Sequence, residues 1–120
     1  AAIRELLPAE AFMEKLHFSC AADRDCMRRI DALDREQIVV IGAEAHVCVL
    51  QTALGLRATG KEVYLVADAV SSRSPRDVEL ALERMRAEGV RVVSREMVAF
   101  EWLHQAATEQ FRAISREFLR

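Results

Sequence analysis

The sequence predicts a three-layer α/β/α fold on a parallel, Rossmann-like, doubly wound sheet, of which these residues supply a part. Three observations carry this. Short β-branched runs at "QIVVIG" (37–42), "EVYLVAD" (62–68) and "VRVVS" (90–94) read as strands, each bounded by Gly or polar residues. A helical segment lies between each consecutive pair. The turns between them are short, which fits parallel strands joined by right-handed crossovers.

Each element follows from its own residues. At the front, "AFMEKLHFS" (11–19) reads as a short strand, and the next segment as a helix from about Asp23 to Leu33. "IVVIG" is apolar on both faces, as a central strand of a covered sheet is, and such a strand needs a neighbour on each side. Val47, Leu50, Ala53, Leu54 and Ala58 then repeat at helical spacing until Gly60 ends the run. In the second crossover, Ser74 is placed as N-cap, with Pro75 and Asp77 in the first turn. Val78, Leu82 and Met85 share one face there, and Gly89 closes the helix. Two amphipathic helices follow, one carrying Met97, Phe100 and Trp102 or Leu103, the other Phe111, Ile114 and Phe118. Residues 1–120 therefore read as a single domain. Because "EVYLVAD" supplies only one neighbour for "IVVIG", the domain is expected to lack its N-terminal part or to pair with another chain.

Composition narrows the function. The chain is 52% hydrophobic and 30% charged, with four Gly and two Pro, as a globular unit is. Its 17 basic and 19 acidic residues are interspersed, which offers no stripe for nucleic acid. No apolar run is long enough to span a bilayer and no signal-peptide pattern opens the chain, so neither nucleic acid nor membrane is an expected partner and a cytoplasmic location is expected. Three cysteines, Cys20, Cys26 and Cys48, fit free thiols better than a disulfide framework. His17, His46 and His104 are too scattered for a zinc set, so no metal and no cofactor are expected.

Cys48 raises the main chemical question. Ligand sites of doubly wound sheets lie beyond the carboxyl ends of the strands, which places a site in the turn from Gly42 to Cys48. A thiol in the first turn of a helix meets free N–H groups and the positive end of the helix dipole, which favour thiolate and can hold an oxyanion. Flanked by Val47 and Val49, the same cysteine also fits core packing, and spacing alone leaves both open.

A resemblance bears on the choice. "VVIGAEAHVCVLQTALGLRATGKEVYLVADAVSSRSPRDVELALERMRAEGVRVVSREMVAFEWL" resembles the C-terminal half of the isochorismatase-like cysteine hydrolases, whose pattern runs "GIETHVCV.QTA" and then "DAVSSRS". The resemblance implies that Cys48 is the nucleophile of a hydrolase forming a thioester with a small substrate. "MEKLHFS" is similar to the family's lysine segment, which implies a catalytic role for Lys15. It further implies a non-proline cis peptide at Ala43–Glu44 beside the oxyanion site, and a homo-oligomer. A thiol nucleophile suits C–N bonds of the amide type better than the vinyl ether of a true isochorismatase.

The chain also departs from the family. Ala45 replaces the threonine of "THVC", and the aspartate-bearing "D.Q" strand is not found before Lys15. Asp23, Asp25, Asp31 and Asp34 do not match that motif and read as solvated charges on or beside a helix. Asp68 reads as a turn-fixing carboxylate, and Phe100 and Trp102 as core or subunit interface. The rival reading is a catalytically silent scaffold that keeps the fold for oligomerisation.

Overall fold

The computed structural model describes residues 2–118. Helix α1 (Ala2–Leu6) and a 3-10 turn (Ala9–Ala11) lead into an irregular stretch, a second 3-10 turn (Cys20–Ala22) and α2 (Arg24–Ala32). Asp23 caps α2, its carboxylate accepting the N–H groups of Asp25 and Cys26 at 3.0 Å. These bonds, that to Cys26 foremost, hold its carboxyl below the usual carboxylate value, so Asp23 is a helix cap and not the idle surface charge expected.

The strand expected at 11–19 does not form; Ala11 ends the first 3-10 turn, and residues 12–19 are irregular backbone and bends. A strand requires a ladder partner, and the segment has none among the described residues: the side chain of Leu16 is fully exposed.

The three later strands form a parallel sheet in the order β1 (Gln37–Ala43), β2 (Glu62–Ser71), β3 (Arg91–Val93). The structure makes β2 the central strand, and β1 pairs with β2 alone among the described residues. Crossing from β1 to β2 are a π-helical turn (Ala45–Val49) and α3 (Leu50–Ala58); α4 (Pro75–Ala87) joins β2 to β3. Val63 and Leu65 of β2 pack against Leu56 and Met85 of these two helices, all four fully buried. Each such side chain contributes roughly 1.5–3 kcal/mol by leaving water. On the other face, Tyr64 of β2 and Val39 of β1 lie across an open cleft of about 600 Å³ from Val98 and Trp102 of α5 (Arg95–Leu103). Helix α6 (Glu109–Phe118) packs on α5 through Phe111 and Phe100, whose ring centroids are 5.9 Å apart. Leu119, where the expected last helix ended, lies outside the described residues. The sheet flanked by helices is the α/β/α arrangement expected from the sequence.

Two details differ from expectation and shape the site. β2 runs on to Ser71, three residues past the strand read from the sequence, and pairs again with β1 at Gly42 and Ala43 beyond an irregularity after Val40. Ser74 occupies the N-cap of α4 as expected, but its side chain makes no capping bond. The backbone carbonyl of Ser74 accepts from Asp77 and Val78 instead, which leaves the Asp77 carboxylate facing another partner.

Candidate active site

Beyond the carboxyl end of β1 the chain turns sharply. Gly42 has φ +128°, a conformation open to glycine, and the next bond but one, Ala43–Glu44, is a cis peptide. Cys48 follows in the π turn, where the N–H of Val49 reaches five residues back to the carbonyl of Glu44 at 3.2 Å, a carbonyl that the N–H of Val47 also meets at 3.1 Å. An ordinary α-helical first turn was expected. The wider turn inserts a residue at the helix start, a geometry frequent at functional sites. Cys48 is a free thiol, neither fully buried nor fully exposed, while its neighbours Ala45 and Val49 are buried. The turn's apolar contacts are therefore made largely by the residues around the cysteine.

Two polar contacts tie this turn to the segment after β2. The Glu44 carboxylate accepts from the Arg73 guanidinium at 2.9 Å and from the Arg73 backbone N–H at 3.3 Å. The guanidinium bond foremost holds the Glu44 carboxyl below its usual range. His46 Nδ1 lies 2.8 Å from Ser72 Oγ, and its Nε2 lies 3.7 Å from an oxygen of Asp77. From the sequence His46 is weighed only as a metal ligand and Asp77 only as a first-turn residue of the second crossover helix, while Ser72 and Arg73 carry no role of their own. The signal available was the "SSR" of the second family motif.

The remaining candidates fall in different places. Lys15 Nζ donates to the carbonyl of His17 at 2.9 Å, and that bond does not join it to Cys48. Its segment is nonetheless anchored beside the cysteine helix: Ser19 Oγ donates to the Gln51 carbonyl at 3.1 Å, and the Cys20 N–H to Thr52 Oγ1 at 3.0 Å. Cys26 is buried, and burial pushes its thiol up. Asp68 lies within β2 rather than in a turn, where its carboxylate accepts the Arg95 N–H at 2.8 Å and fixes the start of α5. Phe100 and Trp102 stay largely exposed. Among the described residues no group of three His, Cys, Asp or Glu is placed to hold a metal ion, and no helix is long and apolar enough to cross a membrane.

A partial parallel α/β sheet with a cysteine in the turn leaving a strand's carboxyl end is the class that fold and site define. The isochorismatase-domain family model matches residues 1–97, and the chain belongs to that family. Among curated relatives, it is 40% identical over 82 residues to a secreted isochorismatase effector of Phytophthora sojae, covering 68% of this chain and 39% of that one. It is 42% identical over 77 residues to isochorismatase domain-containing protein 1 of Danio rerio, covering 64% and 27%. Among solved structures, the MAR1 ribonuclease of Caenorhabditis elegans superposes with a TM-score of 0.76 at 31% identity, covering 88% of this chain and 54% of that chain. The nicotinamidase PncA of Bacillus subtilis gives 0.64 at 26% identity, covering 68% and 46%. The chain thus spans about half or less of the length of the relatives it matches.

Proposed function

We propose that this chain carries the nucleophile of a cysteine hydrolase that cleaves a C–N bond of the amide type in a small molecule. The observation that carries the proposal is Cys48 itself, a free, partly exposed thiol in a π turn beyond the carboxyl end of a parallel strand. Likeness to a nicotinamidase, an amide hydrolase, supports the C–N substrate class.

In the proposed reaction the Cys48 thiolate attacks the amide carbonyl carbon, and the carbonyl π electrons move onto oxygen. N–H groups at the helix start, next to Ala43 and Glu44, stabilise that oxyanion. When it collapses, the C–N bond breaks and the amine leaves with a proton, giving a thioester on Cys48. Water then adds to the thioester carbon, the C–S bond breaks, and acid and thiol are released. Lys15 supports the thiolate from the segment that Ser19 and Cys20 anchor on α3. The carboxylate that moves the proton is supplied by a further strand along the edge of β1 that has no partner among the described residues. We place the protein in the cytoplasm, where three free thiols are kept reduced.

Brief iodoacetamide labelling with peptide mapping, alongside hydrolysis of a panel of small amides, tests the proposal. Cys48 is expected to be alkylated faster than Cys20 and Cys26, and Cys48→Ser to abolish any turnover. Slowest labelling at Cys48 would leave the silent scaffold as the better reading.

A further inference from the structure

The cysteine turn is held from one side by a pair of contacts that alternate along both strands of chain. Glu44 and His46, two residues apart, meet Arg73 and Ser72, two neighbours on the segment after β2. The Glu44 contact lies at the surface, with the Arg73 side chain largely exposed, so solvent and salt weaken it. The His46 contact is more enclosed and touches three elements at once: the π turn, the Ser72 loop and the first turn of α4.

Its direction follows from the chemistry of the partners. A carboxylate can only accept, so Asp77 facing Nε2 favours the tautomer with the proton on that nitrogen. Nδ1 is then an acceptor, and the Ser72 hydroxyl donates to it. The imidazole is thereby held by a hydrogen bond at Nδ1 and by a longer electrostatic contact of 3.7 Å at Nε2, with Glu44 and Arg73 the other charged groups of the same clamp. One peptide unit beyond Val47 lies Cys48. Fixing the His46 ring fixes the backbone of a turn that, as a π turn, lacks the regular α-helical ladder.

We propose that His46 is a positioning residue for Cys48, oriented by Ser72 and Asp77 and acting on the thiol through the turn they share. This role rests on Cys48 being the nucleophile. Loss of the clamp lets the turn sample conformations in which the sulfur no longer faces an incoming carbon, and small misplacements of a reacting group cost rate steeply.

The test is the rate of iodoacetamide alkylation of Cys48 at neutral pH, measured against Cys20 in the same molecule by peptide mass mapping. His46→Phe, which keeps an aromatic ring without a polar atom, is expected to slow Cys48 about tenfold relative to Cys20. His46→Asn, which restores a polar atom near the position of Nδ1, is expected to recover a rate within about twofold of the parent. Ser72→Ala, a milder change should His46→Phe fail to fold by circular dichroism, is expected to slow Cys48 roughly threefold and to add nothing in the double variant. Equal or faster labelling in His46→Phe, or no recovery in His46→Asn, overturns the role while leaving the nucleophile in place. If Cys48 of the parent chain is already the slowest thiol, the nucleophile assignment falls and the role falls with it.

Discussion

Glu44 shows how a single exposed carboxylate can report on the site. One of its oxygens takes both the guanidinium and the backbone N–H of Arg73, and its folded value lies below the ordinary 4.5. A carboxyl with a depressed folded value contributes stability that is fully present above its unfolded value and is lost as pH falls through the folded one. The stability of the parent chain in urea should therefore decline as pH drops below about 4.5, and Glu44→Gln should flatten that decline. Identical pH slopes for the two proteins would show that the pair contributes nothing. At this scale the sequence showed where Cys48 stands, because a thiol at a strand-to-helix join stands out from its neighbours. It hid the clamp, because Glu44 and Arg73 stand 29 residues apart and His46 and Ser72 stand 26 apart, and only a fold brings such pairs together.

Among the elements, α3 depends on the absence of a side chain. A Cβ at Gly55 would lie 2.5 Å from the Cβ of Ala21 and 3.2 Å from Ser19 Oγ. The 3-10 turn carrying Cys20 can approach α3 only because nothing stands there. In an exposed helix Gly→Ala stabilises by about 1 kcal/mol, but here the clash dominates and a net loss of about 1–3 kcal/mol is expected for Gly55→Ala. Urea denaturation measures it, and a gain in stability would mean that the turn yields freely. The crossover helices were legible because their apolar spacing is long and regular, and Gly60 and Gly89 follow their last turns. The π turn was not, since five residues are too few for its period to differ visibly from that of an α-helix. The strand expected at 11–19 failed for the opposite reason: local composition permitted it, but a ladder is a property of two segments.

At the scale of the whole molecule the sheet is lopsided. α3 and α4 cover one face, while on the other Val39 and Ile41 of β1 remain 38% and 60% exposed. Trp102, across the cleft from Val39, is 71% exposed. A strand edge unpaired among the described residues, beside an apolar face, invites pairing with another segment. We propose that β1 takes a further strand, from a longer form of this protein or from a second copy, and that the 120-residue chain alone associates. Size exclusion with light scattering should find a mass above 13.5 kDa, and Ile41→Lys, which puts a charge on the open face, should shift the population toward monomer. A parent chain that runs as a clean monomer would remove the proposal. The sequence raised the need of "IVVIG" for a second neighbour through its apolarity on both sides; among the described residues β1 pairs with β2 alone. It could not show that the uncovered area continues onto α5.

The two clamps also make the surroundings of Cys48 local in the chain. Glu44 and Arg73, 29 residues apart, close a loop that contains all of α3 and all of β2. Closing a loop of that length costs about 3 kcal/mol of chain entropy plus a constant, about 1 kcal/mol less than closing the whole chain would. Cysteine, turn and clamp thus belong to one crossover, and every contact that defines them is made within residues 44–77.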